Sequence, residues 1–189
     1  MGKTKQLLPF NGMTLLEHCI KNVLMCPVDE VITIIGHRSD IIKEKVTIDD
    51  PRFKWKYNVH YREGQSSALK AAITGLNHSD GMMVFLADQP FIKEKMIRII
   101  LERVRELLPM IHNGLVVQPS YHGKKGHPVF FSRHLYSLFY QLHGDEGGKK
   151  IINKASHYEN VCVSDAGILF DIDTPKDYEK LLSYSLTEK

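Results

Sequence analysis

Apolar residues follow two rhythms along this chain. Short continuous runs bounded by turn residues predict strands buried on both faces. These are Val31-Ile32-Thr33-Ile34-Ile35, closed by Gly36; Met82-Met83-Val84-Phe85-Leu86-Ala87, closed by Asp88-Gln89-Pro90; Leu115-Val116-Val117; and Val129-Phe130-Phe131. Shorter strands are expected over 56–61, 159–163 and 167–170. Between the strands the spacing turns helical. A Thr14-x-x-Glu17 capping box opens a helix carrying Leu15, Leu16, Cys19, Val23 and Leu24, which Pro27 ends. Further helices are expected over 39–46 with Ser39 as cap, over 68–73, 93–108 and 133–142, and from about Lys149. A last helix follows Thr174-Pro175, where Thr174 caps and Asp177 completes a box. Residues 1–11 read as loop, and no repeat or linker divides the chain. Strands alternating with helices predict an α/β domain with a mostly parallel, doubly wound sheet and helices on both faces.

Composition narrows the class without naming a function. The 189 residues, 43% apolar and 25% charged, suffice for one globular domain with a sizeable core. A net charge of +3 is too weak to argue for nucleic acid and does not oppose a small anionic ligand. Cys19, Cys26 and Cys162 show no metal or disulfide spacing, which fits a reducing cytoplasm. No apolar stretch has membrane-spanning length.

The candidate chemistry collects at strand ends. In open α/β sheets the ligand crevice lies outside the carboxyl ends of the strands. Asp88 stands there, directly after an apolar run, and so does Asp173, which the Thr174 cap does not need. Two carboxylates with lysines nearby and no Cys/His cluster favour Mg²⁺ over zinc, and Mg²⁺ points to nucleotide chemistry. The turn Arg62-Glu63-Gly64-Gln65-Ser66-Ser67 opens a helix, and its serines serve equally well as helix caps or as ligand contacts. The basic loop Tyr121-His122-Gly123-Lys124-Lys125-Gly126-His127-Pro128 suits an anion but is also an ordinary hairpin tip. These residues alone do not choose between a kinase, a phosphatase and a nucleotidyltransferase.

An ordered set of motifs narrows the choice. Gly2-x-x-Lys5-Gln6-Leu7-Leu8-Pro9, Gly64-x-Ser66-Ser67-x-Leu69, Leu86-Ala87-Asp88-Gln89-Pro90, Gly126-His127-Pro128, Gly144-Asp145-x-Gly147 and Asp171-Ile172-Asp173-Thr174-Pro175-x-Asp177-Tyr178 follow one another along nearly the whole chain. Together they resemble the molybdenum cofactor cytidylyltransferase family of MobA-like nucleotidyltransferases. The resemblance implies a nucleotide-diphospho-sugar transferase-like fold and transfer of CMP from CTP to the phosphate of molybdenum-molybdopterin. It implies Asp88 and Asp173 as Mg²⁺ ligands, and Lys5 with Asp88 as the catalytic pair. Gly2, Gly64, Ser66, Ser67 and Gln89 then serve the nucleotide side, and Gly126, His127, Gly144 and Asp145 the molybdopterin side. Residues 1–100 are expected to form the nucleotide-binding part of a single 1–189 domain, and 101–189 the acceptor-binding part. A transient partner would be a molybdenum hydroxylase of the xanthine dehydrogenase type.

The sequence departs from the family pattern at its start. It begins at the Met-Gly that closes the family's Leu-Ala-Ala-Gly-x-Ser-x-Arg-Met-Gly motif. A strand from the middle of the sheet and most of a phosphate-cradling loop are therefore expected ahead of Met1, including the residues that select the base. Ala68 stands where many members have a third serine. Two other functions remain open: a non-catalytic molybdopterin-binding insertion chaperone and a sugar-phosphate nucleotidyltransferase.

Overall fold

The computed structural model describes residues 4–76 and 78–187. Its elements follow the expected alternation. They are β1 (Pro9–Phe10), β2 (Met13–Thr14), α1 (Leu15–Leu24), β3 (Val31–Ile35), α2 (Ser39–Lys45), β4 (Phe53–Tyr57), α3 (Gln65–Ile73), β5 (Gly81–Val84), α4 (Glu94–Leu107), β6 (Leu115–Tyr121), β7 (Lys124–Lys125), β8 (Val129–Ser132), α5 (Tyr136–Phe139), α6 (Lys149–Ile152), β9 (His157–Cys162) and α7 (Pro175–Thr187). The first box forms as expected: Glu17 N donates to Thr14 Oγ1 at 3.2 Å. At α7 the box closes in both directions, with Asp177 N donating to Thr174 Oγ1 and Thr174 N donating to Asp177 Oδ2.

Strands β3 and β4 pair in parallel. A second sheet runs β5-β8-β6-β7, with β9 parallel beside β6. Strand β8 enters it antiparallel to both β5 and β6. Alternate residues of β5 turn to opposite faces. Met82 and Val84 join Leu69, Ile73, Phe131 and Phe139 on the α3 and α5 side. Met83 joins Ile100, Val104 and Phe130 on the α4 side. Helices thus cover both faces, as a doubly wound domain requires. No helix among the described residues is long and apolar enough to cross a membrane.

Several local expectations change. The 167–170 stretch is a 3₁₀ turn, Ala166–Leu169, because the Asp165 carboxylate accepts from Gly167 N at 2.8 Å and curls the chain over a buried Ile168. The expected 133–142 helix shrinks to a 3₁₀ turn and the single turn α5. The 56–61 strand shifts back to Phe53–Tyr57, because the Asn58 side chain accepts from His60 N and starts a turn. Ser39 is the first residue of α2 and not its cap; Arg38 holds that position in left-handed conformation. Residues 5–11 are not all loop, since Lys5–Leu7 form a 3₁₀ turn and Pro9–Phe10 pair with Met13–Thr14.

The largest departure concerns β3 and β5. Both read as strands buried on each side, yet most of their residues are only half-buried. The physical reason is a gap. Among the described residues no ladder joins the β3–β4 pair to the five-stranded sheet, and an apolar cavity of about 750 Å³ lies between their edges.

Candidate active site

The site is assembled from three distant segments. After β5 the chain turns at Leu86–Gln89, where Gln89 N donates to Leu86 O, and this presents Asp88 beyond the strand. Ile172 N donates to Asp88 O at 3.0 Å, which draws the Asp171-Ile172-Asp173 stretch alongside. Ile172 itself is fully buried with Leu8, Phe10, Leu15 and Leu181. That cluster also anchors the segment carrying Lys5, and Tyr178 OH donates to Pro9 O at 2.5 Å to tie it to α7. Hydrophobic packing of residues far apart in sequence therefore fixes the polar residues above it.

The outcome is direct convergence. Lys5 Nζ donates to Asp88 Oδ2 at 2.7 Å and to Asp173 Oδ1 at 2.9 Å. Asp88 is the sheltered member, with its side chain 20% exposed, and Asp173 the outer one at 68%. Burial works against the Lys5 charge, but the hydrogen bonds and negative charges of Asp88 and Asp173 outweigh it and raise its pKa above the ordinary lysine value. The ammonium is thus held charged between two carboxylates. Nearby, the Cys19 thiol points to Ala87 O at 3.8 Å. Its burial, followed by the charge of Asp88, pushes its pKa up to about 12, so it stays a thiol and supplies no nucleophile.

Around this centre the other expected residues fall into two groups. Gln89 is buried, and its Nε2 donates to Asp171 Oδ1 at 2.6 Å; its Oε1 finds no partner among the described residues. His127 N donates to Ile168 O, and a Cβ on Gly126 would stand 2.5 Å from that same carbonyl oxygen, so only glycine permits this approach. Burial lowers the His127 pKa, opposed by the charges of Asp171 and Asp88, and the imidazole is neutral near pH 7. Asp171 was not expected as a site residue. Its signal was the Asp-x-Asp spacing around an apolar residue, read only for its second member.

The second group brings together residues expected on opposite sides of the site. Gly64 has φ +93°, and a Cβ there would stand 2.4 Å from the Gly144 carbonyl carbon. Ser66 N donates to Gly144 O, and Gln65 N to Asp145 Oδ1. Ser66 and Ser67 are buried. The Ser67 hydroxyl donates to Gly64 O and accepts from Asn58 Nδ2, both at 2.8 Å, so it holds the loop. Gly2 lies outside the described residues.

The donor set can be tested for a metal on its own chemistry. Among the described residues no group of three or more His, Cys, Asp or Glu side chains converges. Asp88 and Asp173 do converge, on one cation. Two carboxylate oxygens suit Mg²⁺ or Mn²⁺, whose remaining positions go to substrate phosphates and water. Zinc would need nitrogen or sulfur ligands that are not gathered here.

Asp88 stands beyond the carboxyl end of β5, whereas Asp173, expected at a strand end, follows the Ala166–Leu169 turn instead; the α/β domain has a nucleotide-diphospho-sugar transferase-like fold, and the solved structures agree. The chain superposes over its full length on 91% of a crystal structure from Mycobacterium sp. strain JC1, a homologue of Mycobacterium tuberculosis Rv0371c, with TM-score 0.82 and 28% identity. It covers 93% of a manganese complex of Rv0371c itself, using 96% of this chain, with TM-score 0.76 and 24% identity. Over 179 residues it is 25% identical to the molybdenum cofactor cytidylyltransferase of Escherichia coli K12, spanning 94% of this chain and 86% of that protein. The MobA-like NTP transferase domain model matches residues 1–161, and the chain belongs to that family.

Proposed function

We propose that this protein transfers CMP from CTP to the terminal phosphate of a molybdopterin-type acceptor in the cytoplasm, releasing pyrophosphate. One observation carries the reading: two carboxylates from distant segments meet at the end of β5 with a lysine between them. An acceptor phosphate oxygen attacks the α-phosphorus of CTP, the bond to the bridging oxygen breaks, and pyrophosphate leaves with its electron pair. Such a reaction calls on positioning and charge neutralisation more than on covalent help. Asp88 and Asp173 would hold a divalent cation, Mg²⁺ in the cell, which supplies Lewis-acid charge neutralisation when bound. Lys5, released from the carboxylates, offsets charge growing on the bridging oxygen. The Gly64–Ser67 turn and Gln89 belong to the nucleotide part, 1–100, and Gly126, His127, Gly144 and Asp145 to the acceptor part, 101–189. The manganese complex of a structural neighbour and the cytidylyltransferase relative support the cation and the substrate class.

Pyrophosphate release from CTP, with and without molybdopterin, tests the reaction. Turnover should require both substrates and fall at least ~10²-fold in Asp88→Ala, with the fold retained by circular dichroism. An Asp88→Ala protein as active as its parent would remove the metal assignment. Calorimetry separates the insertion chaperone, which would bind molybdopterin but not CTP with Mg²⁺. Turnover with hexose 1-phosphates would instead favour a sugar-phosphate transferase.

A further inference from the structure

The Gly144-Asp145-x-Gly147 motif packs on the turn that opens α3. A helix leaves its first backbone N–H groups without partners of its own. α3 starts at Gln65 behind Gly64, which has no side chain to cap it. Residues about 80 positions further along supply the acceptors instead. Asp145 Oδ1 accepts from Gln65 N at 3.3 Å, and Gly144 O accepts from Ser66 N at 3.0 Å. A Cβ on Gly147 would stand 2.9 Å from Gln65 Oε1, so the third member of the motif lies against the same turn. The Asp145 carboxylate also places negative charge at the positive end of α3. Glu146, the residue between, closes the loop on itself: its carboxylate accepts from His143 N at 3.1 Å and pairs with Lys150.

The two segments share one base. Leu142 before the loop and Ile151 after it are buried in a single cluster with Leu69 and Ile73 of α3. A shift of the loop would disturb that cluster, so the cap sits on a fixed support. Asp145 itself is exposed, and among the described residues its carboxylate joins no ion pair. The N–H groups that a Gly/Ser turn could offer a ligand are therefore occupied from within at Gln65 and Ser66. We infer that Asp145 is a positioning residue for the nucleotide: from the acceptor part of the chain it holds the Gly64–Ser67 turn in the conformation that receives CTP. The role stands on the proposal that this turn belongs to the nucleotide site. Losing the cap shifts the turn's equilibrium by a factor of about 5, the worth of one net hydrogen bond. The apparent affinity for CTP falls by up to that factor, because only molecules with the turn formed are competent to bind.

Titration calorimetry of CTP with Mg²⁺ compares the parent with Asp145→Ala and Asp145→Asn. Asparagine keeps an oxygen acceptor for Gln65 N and removes the charge. Asp145→Ala should bind CTP ~3- to 5-fold more weakly. Asp145→Asn should return to within about 2-fold of the parent. Mn²⁺ titrated alone, which reads Asp88 and Asp173, should bind all three proteins alike. Unchanged CTP affinity in Asp145→Ala, even with a lower melting temperature, would overturn the inference. So would equal weakening in both variants, which would make charge and not the cap the cause. A matching loss of Mn²⁺ affinity would also overturn it, by showing a general disturbance of the site. Where the parent prefers another nucleoside triphosphate, the comparison uses that one. A parent that binds none would sink the transferase reading and this inference together, whereas a parent and an Asp145→Ala protein that bind equally well sink the inference alone.

Discussion

Replacing Lys5 with Met keeps an unbranched side chain one atom shorter and removes the positive charge between Asp88 and Asp173. The two contacts measure 2.7 and 2.9 Å and meet at one nitrogen. The carboxylate oxygens are therefore no more than about 5.6 Å apart. Two unit charges ~5 Å apart at an effective dielectric constant of ~20 repel by about 3 kcal/mol. Asp173 is 68% exposed and rotates into water, which screens most of this and leaves a net cost of about 1 kcal/mol. For a domain of this size that corresponds to a melting temperature lower by ~2–4 °C. Scanning fluorimetry at low ionic strength reads the difference, and repeating it in millimolar Mn²⁺ adds a second measurement. The cation should stabilise the Met variant more than the parent, in which the ammonium must first be displaced. An unchanged melting temperature, together with the same response to Mn²⁺ in both proteins, would refute the view that Lys5 neutralises this pair.

Gly64→Ala should cost more than ~3 kcal/mol, because φ +93° is strained for alanine and the new methyl would meet the Gly144 backbone at 2.4 Å; urea unfolding measures it. Thr174→Ala removes both hydrogen bonds of the Thr174 hydroxyl in the α7 box, leaving the backbone N–H of residue 174 on Asp177, and should cost ~1 kcal/mol in the same assay, with Thr174→Ser recovering most of it. Burial lowers the pKa of His18 and His127, so the unfolded chain takes up protons first as the pH falls. Stability should then decline as pH drops through the ordinary imidazole range, from about 7 toward 5, and level off below the lowered folded values. The carboxylates of Asp50, Glu146 and Asp177, which their hydrogen-bond partners hold below their ordinary pKa, stay charged over that window. A His18→Gln/His127→Gln protein should show a flatter melting-temperature profile there, and an equally steep one would count against burial as the cause.

Much of the fold was legible because local rules and tertiary packing agree. The capping boxes at Thr14 and Thr174 formed where their spacing put them, and the apolar runs at 31–35, 115–117 and 129–131 became strands, while the 82–87 run is a strand only as far as Val84 before the chain turns at Leu86–Gln89. Reading failed where a single side chain redirected the backbone, as Asp165 does before Gly167 and Asn58 before His60. It also failed for burial in β3 and β5, since a sequence pattern records what a strand is suited to face and not whether a neighbour is there. In the site, Asp88 could be picked out as a carboxylate directly after an apolar run, where a turn or cap was an equal reading, and Asp173 as one that the Thr174 cap did not need. Asp171 could not, because its role depends on Gln89 folding back to meet it.

The amino-acid order by itself determined the alternation of strands and helices, the capping boxes at Thr14 and Thr174 and the placing of Asp88 directly after an apolar run. Those properties depend on residues within a few positions of one another. Only the tertiary structure decided that Lys5 meets Asp88 across 83 residues and Asp173 across 168, that Gly64 packs on Gly144, and that β3 and β5 face each other over an apolar gap. Such contacts are set by which hydrophobic clusters form, here the packing of Ile172 with Leu8, Phe10 and Leu15, and by the backbone bond from Ile172 to Asp88 that follows from it.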